Sequence, residues 1–385
     1  MLYLDHAATS PVRGEVLEAM HPYLTEAFGN PSSHHTAGET AARALEDARA
    51  RVARALGMRT GDVIFTSGGT EANNLAVKGI VLGARQSGAP ARHLVTTAIE
   101  HESVLDSADH LNRLHDVEST LVPVDEQGVL HPERLSAALR EDTALVSFAH
   151  ANNEIGTVQD VAALAAVARE RAVPVHVDAV QSAGWLDLRQ LGADAGVAAI
   201  SVAGHKLGAP KGTGALAVRS RVPIEPLLHG GGQERGRRSG TENVAGAVAL
   251  ATALELAEAE RARTVTAVAA NTQEFIAGVL AAVPQARLSG HPTRRLPGTA
   301  AFTFAGTSGE AVLLELERRG VITSSGSACA AGSDEPSHVL VACGVAPEVA
   351  QTAVRFTFDR APLPEGIAGR LAALVAEAVA GVLGG

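Results

Sequence analysis

Six short β-rich runs constrain this chain more than any other feature: DVIFTS (62–67), HLVTT (93–97), TALVSFAH (143–150), VPVHVDA (173–179), VAAISVAG (197–204) and GALAV (214–218). Several are apolar almost throughout, the pattern of strands covered on both faces. Helical stretches such as ETAARALEDARARVARALG (39–57) separate them. Strand–helix alternation from about residue 36 to 250 predicts a mainly parallel sheet wrapped by helices. The polar stretch 229–243 interrupts the pattern, and a long helix is expected at about 244–282. Beyond it the texture changes, with strands expected in GTAAFTFAG (298–306) and TAVRFTFD (352–359). A chain of 385 residues suits two domains. The reading is an α/β large domain over 13–258, with a smaller α+β domain built from 1–12 and 259–385. Aromatic residues make up only 3%, so an aliphatic core of Ala, Val and Leu is expected.

Lysine usage points to chemistry. Of 32 basic side chains only three are lysine: Lys78, Lys206 and Lys211. Arginine stays protonated and cannot serve as a nucleophilic amine, whereas lysine can. A net charge of −10 argues against a nucleic-acid surface. No apolar run is read as approaching the roughly 18 residues that span a membrane. MLYLDHAATSPV lacks the basic start and apolar stretch of a signal peptide, so a cytoplasmic location is expected. Two cysteines, Cys329 and Cys343, make neither a disulfide framework nor a metal-site spacing. No metal is expected.

Three local patterns carry the functional reading. SGGTEANN (67–74) follows the strand DVIFT, and a Gly-rich turn opening a helix favours a phosphate. The same turn also suits a plain cap with Thr70 as N-cap. VHVDAVQSAG (175–184) places Asp178 at the end of an apolar strand, where an acid is costly unless paired. It can cap the next helix or face a buried cation. Lys206 follows the strand VAAISVAG and stands next to His205. A phosphate cradle, a strand-end acid and a strand-end lysine meet the demands of pyridoxal phosphate: a Schiff-base amine, a partner for the pyridinium nitrogen and an anion site.

The stretches YLDHAATSPV, FGNPSSHH, SGGTEANN, IEHESVLD, HANNEIGTVQD, HVDAVQS, GHKLGAPKGTGAL, HGGGQERGRRSGT and SSGSACAAGSDEPSHVL closely resemble the cysteine desulfurases. These are pyridoxal-phosphate enzymes of the class V aminotransferase group, with the type I fold. The resemblance runs from residue 3 to about 360, in order. It implies Lys206 as the Schiff-base lysine, and Gly69, Thr70 and His205 around the phosphate. Thr241 is implied to reach that phosphate from a neighbouring subunit, which requires a homodimer. It further implies His101 stacked on the ring as an acid or base, Asp178 on the ring nitrogen and Gln181 on the ring oxygen. Asn153 and Arg355 are the implied grips for the carboxylate of the substrate, L-cysteine. Cys329 is the implied nucleophile, forming a persulfide for a protein sulfur acceptor in iron–sulfur cluster assembly or thiolation. Cys343, in the apolar SHVLVACGV, is read as core.

Ala203 stands where the family often has Ser, which predicts one phosphate hydrogen bond fewer, worth about 1 kcal/mol. The resemblance implies that members devoted to iron–sulfur scaffolds often carry a longer tail than the ending AGVLGG, so the identity of the sulfur acceptor stays open. Two alternatives compete: a selenocysteine lyase or other class V enzyme, and a non-catalytic subunit that binds a sulfur carrier. The thiol Cys329 argues against an aminotransferase. Intact Lys206, Asp178, His101 and Cys329 argue against the non-catalytic subunit.

Overall fold

Both faces of the main sheet are apolar, and the alternation of side chains shows why the runs are nearly continuous. In the strand Gly214–Val218, Ala215 and Ala217 enter one buried cluster while Leu216 and Val218 enter another. Helices cover each face, so neither set of side chains meets water. The computed structural model describes residues 1–326 and 335–384. In chain order the strands are β1 (Leu2–Tyr3), β2 (Val63–Thr66), β3 (His93–Thr97), β4 (Glu118–Val122), β5 (Thr143–Ala149) and β6 (Val175–Asp178). They continue with β7 (Ala199–Ala203), β8 (Gly214–Val218), β9 (Ala286–Leu288), β10 (Thr299–Phe304), β11 (Val321–Ile322) and β12 (Ala353–Thr357).

The seven-stranded sheet has the order β2-β8-β7-β6-β5-β3-β4. Its pairings are parallel except that β8 runs antiparallel to both neighbours. Six of these strands coincide with the six sequence runs. The seventh, β4, escaped the reading because it is an edge strand, paired only with β3, and its ESTLV is largely solvated. A hydrogen-bonded row, Ser147–His176–Ser201, crosses β5, β6 and β7 at 2.9 and 2.7 Å. It satisfies the polar atoms that interrupt these apolar strands. Burial pushes His176 down to about 4, so the ring is neutral.

A second core lies under the three-stranded sheet β12-β10-β9. Here the expectation of a purely aliphatic interior fails. Of eight phenylalanines, Phe275, Phe302, Phe304, Phe356 and Phe358 all gather in this cluster. The Phe275 ring centroid lies 5.0–5.9 Å from three of the others, edge to face. Scarce aromatics were concentrated where one small sheet must bury much area. β1 pairs with β11, and Leu4 sits in this same cluster.

The 39-residue helix Val244–Ala282 joins the two cores. Its first half, through Ala257, packs on the large sheet, and Val268–Val279 pack with the phenylalanines. By length and composition it is apolar enough to cross a membrane, contrary to the reading that no such stretch exists. Its apolar character serves two separate cores.

The loop 229–243 is pinned by a buried ion pair. Arg49 Nη1 lies 2.5 Å from Glu234 Oε2, with side-chain exposures of 3% and 2%. Glu234 Oε2 also accepts from Phe65 N–H, tying the loop to β2. Glu234 and Arg235 hold left-handed φ of 50° and 60°, a conformation that non-glycine residues adopt at a cost. Glu234→Ala should lower stability by about 3 kcal/mol, because buried Arg49 then keeps, among the described residues, only its Nε pair with the exposed Glu46 and its bond to Val63 O. Glu255→Ala, breaking its more exposed pair with Arg51, should cost no more than about 1 kcal/mol. Urea denaturation of both variants checks this, and equal losses would contradict it.

Candidate active site

The chemistry-bearing side chains converge at the carboxyl ends of β2, β3, β5, β6 and β7, where open parallel sheets bind ligands. After β2, Ser67-Gly68 turn the chain into the helix Gly69–Asn74, which continues through a π-helical turn into Ile80–Gln86. First-turn N–H groups of such a helix lack intrahelical acceptors, and Gly69 and Thr70 present theirs here. A Cβ on Gly69 would come within 2.8 Å of Val180 Cγ2 and 3.3 Å of Ala203 Cβ, so only glycine fits this packing.

Asp178 ends β6 and is buried. Its Oδ2 accepts from Asn73 Nδ2 at 2.7 Å and its Oδ1 from Val180 N–H at 2.9 Å. His101 caps the helix Glu102–His115, its Nδ1 accepting from Ser103 N–H at 3.0 Å. That bond places the ring proton on Nε2. Burial, with the nearby Lys206 charge, lowers the His101 pKa against the opposing pull of Asp178, so the neutral ring is favoured. His205 and Lys206 follow β7 in a single tight turn, Gly204–Lys206. A Cβ on Gly204 would sit 2.1 Å from Thr213 Oγ1, which explains the glycine before the His-Lys pair. Arg360 props this turn from below, Nη2 donating to Lys206 O at 3.0 Å while its guanidinium lies over Trp185. Burial with the Lys206 and Lys211 charges pushes His205 down to about 4, leaving it a neutral donor or acceptor.

Two cavities meet here. One of about 80 Å³ is lined by Gly69, Asp178 and Ala203, among others, and a second of about 410 Å³ extends to Arg355 and Ser337. Thr70, His101, Asn153, Gln181, His205 and Lys206 line both, so they form one continuous site. A larger groove of about 900 Å³ opens at the opposite, amino ends of β5, β6 and β7. It has neither a lysine nor a cysteine in its walls, so we place the chemistry at the smaller pair.

A model of the class-V aminotransferase family matches residues 2–367. The chain is 44% identical over 358 residues to cysteine desulfurase IscS of Dictyoglomus turgidum, covering 92% of this chain and 89% of that one. Among solved structures, a NifS-like protein superposes with a TM-score of 0.89 at 34% identity, covering 98% and 99% of the two chains. A structure described as SspA in complex with cysteine gives a TM-score of 0.80 at 34% identity, covering 94% and 100%. The chain belongs to the class-V aminotransferases, among the cysteine desulfurases. This desulfurase is therefore a pyridoxal-phosphate-dependent enzyme.

The donor set fits that cofactor. Neutral His205 and the Gly69–Thr70 turn line the cavity where their N–H groups would suit an anion, and the amine of Lys206 and the flat ring of His101 line it too. Asp178 is a buried carboxylate oriented by two neutral donors, which suits a protonated ring nitrogen. Asn73 Oδ1 is buried with no partner among the described residues, a polar atom left beside the same cavity. Ala203 lends its methyl group to the packing against Gly69 and offers no hydroxyl to a phosphate.

The desulfurase sites differ in how the single chain gathers them. Gly69, Thr70, His101, Asn153, Asp178, Gln181, His205 and Lys206 come together. Arg355, in the middle of β12, is 2% exposed and lines only the larger cavity. Its Nη2 meets Asp5 Oδ1 at 2.8 Å, its Nη1 meets Asn153 O at 2.8 Å, and its Nε has no partner among the described residues. Thr241 is exposed and lines neither cavity of its own chain. Cys329 lies outside the described residues. Cys343 is buried in the main core, where burial and nearby carboxylates push its thiol up to about 12. Sequence reasoning missed Asn73, Ser103 and Asp5, which orient Asp178, His101 and Arg355. Asn73 and Ser103 stand inside the motifs SGGTEANN and IEHESVLD, and a polar residue on the sheet-facing side of each helix was the available signal.

Proposed function

We propose that this chain moves the sulfur of L-cysteine onto Cys329 and releases L-alanine, as a homodimer in the cytoplasm. The observation that carries the reading is the convergence of Lys206, Asp178, His101 and the Gly69–Thr70 turn on one cavity that continues to Arg355. Bound pyridoxal phosphate supplies an electron sink that makes the substrate Cα–H acidic and its sulfur open to attack. Gly69, Thr70 and His205 hold its phosphate, Asp178 its ring nitrogen and Gln181 its ring oxygen. Asn153 and Arg355 hold the substrate carboxylate. Arg355 Nε is the buried donor still lacking an acceptor among the described residues, and its Asp5 pair keeps the guanidinium in place.

Lys206 takes the proton from Cα and returns one to complete alanine, while neutral His101 exchanges a proton through Nε2. The Cys329 thiolate attacks the substrate sulfur, the sulfur–Cβ bond breaks, and its electron pair ends in the new C–H bond of alanine. One thiol and one cysteine thus become one persulfide and one alanine, with no outside oxidant. A protein acceptor, for cluster assembly or thiolation, then takes the terminal sulfur. A reducing compartment keeps Cys329 as the thiol this step needs.

Thr241 completes the phosphate site of the partner subunit in this reading, which accounts for its distance from its own chain's cavities. The test is subunit mixing with L-cysteine and a dithiol reductant, reading alanine and sulfide. Lys206→Ala and Thr241→Ala proteins, each impaired alone, should regain activity when unfolded and refolded together, because one site per mixed dimer is intact. Absence of any recovery would sink the shared-site reading.

A further inference from the structure

Glu100 precedes His101, yet the chemistry above gives it no part. Its carboxyl is buried at 2% exposure, and no cationic side chain pairs with it among the described residues. Its two oxygens serve different strands. Oε1 lies 2.6 Å from the Thr97 hydroxyl at the end of β3, and Oε2 accepts from Ala149 N–H, at the end of β5, at 2.7 Å. The β3–β5 ladder pairs residues only as far as Val95 and Val146. Past that point the two strands separate, and Ala149 N–H is satisfied by Glu100 instead of by a strand carbonyl.

This gap has a particular place in the fold. From β3 the chain steps outward to β4, and from β5 it steps the other way through β6 and β7. The order therefore reverses between β3 and β5, and such a reversal opens the ligand crevice of a parallel sheet. Both walls of that crevice carry site residues: His101 follows β3, and Asn153 follows β5. Two further bonds cross beside the carboxyl. Asn152 Nδ2 donates to Ile99 O at 2.7 Å, and His338 Nε2 donates to Glu100 O at 3.0 Å.

We infer that Glu100 is a positioning residue whose carboxyl clasps the diverging ends of β3 and β5, setting the spacing between His101 and Asn153 across the cofactor site. This rests on the cavity holding pyridoxal phosphate, as proposed above. Burial pushes the carboxyl up to about 8, against the Thr97 hydroxyl, which donates to Oε1 and favours the charged form. A glutamine can still reach both neighbours, its Oε1 accepting from Ala149 N–H and its Nε2–H donating to Thr97 Oγ1 once that hydroxyl turns from donor to acceptor. An alanine can reproduce neither.

The test uses full-length wild type, Glu100→Ala, Glu100→Gln and Thr97→Val. Each apo-protein is titrated with pyridoxal phosphate by fluorescence, melted, and, once reloaded, assayed for kcat and KM. Glu100→Ala should bind cofactor more weakly and turn over more slowly by on the order of 100-fold, the effect of a misplacement of about 1 Å. Glu100→Gln should rescue both, and Thr97→Val, which also strands buried Ile99 N–H, should show a partial loss of cofactor affinity measured well below its lowered melt. If Glu100→Ala only melts lower while cofactor affinity and kcat hold, the residue is plain packing and the inference fails. It fails also if folded Glu100→Gln is as damaged as Glu100→Ala, or if Thr97→Val binds cofactor like wild type. Should Glu100→Ala not fold, the Gln and Val variants still decide. A wild type that makes no alanine would overturn the proposed function instead.

Discussion

Lys206→Ala is expected to lose alanine production by a factor on the order of 10⁴ or more, the scale of removing a general base, with loss of a covalent anchor added. Lys211→Ala, five residues on, is expected to behave as wild type. The structure separates the two: Lys206 lines both cavities of the site, whereas Lys211 is exposed and lines neither. The Gly204–Lys206 turn is fixed from two sides, by Thr213 against Gly204 and by Arg360 on Lys206 O, so the amine cannot be supplied by a neighbour in its place. Borohydride reduction of the wild-type holoenzyme followed by peptide mapping should find the cofactor on the Lys206 peptide. Cofactor found on Lys211 would overturn the assignment.

The second large effect separates the two cysteines. Cys329→Ser should keep the cofactor and still bind L-cysteine, as seen by the change in its visible spectrum, yet form no persulfide. A hydroxyl near neutral pH is a poor nucleophile toward sulfur, so alanine production with reductant should fall by several orders of magnitude. Cys343→Ser should do the reverse. Its thiol packs in the main core, is pushed up to about 12, and is not the thiolate that the reaction needs. Placing a hydroxyl there should cost about 1–3 kcal/mol of stability with activity retained at temperatures where the enzyme is folded. Full alanine production by Cys329→Ser would favour a lyase that acts without a protein thiol. A dead but well-folded Cys343→Ser would mean that the two roles are exchanged.

The parallel α/β sheet and the identity of most site residues were legible in the chain because both depend on local pattern. A strand buried on both faces must be apolar along its length, and the Gly-rich turn, the strand-end Asp178 and the His205–Lys206 pair each follow such a run. What sequence could not decide depends on groups far apart along the chain. β4 is polar because it lies at the edge, and its place there is set only when β3 finds β5 on its other side. Asp5 reaches Arg355 across 350 positions because β1 joins β11 beside β12. Asn73 reaches Asp178 across 105, from the helix after β2 to the end of β6. Residue types name the groups able to do the chemistry. Tertiary packing buries these groups and supplies their partners, and so decides that His101 is held neutral, that Asp178 stands between two neutral donors, and that Glu100 bridges the strands around them.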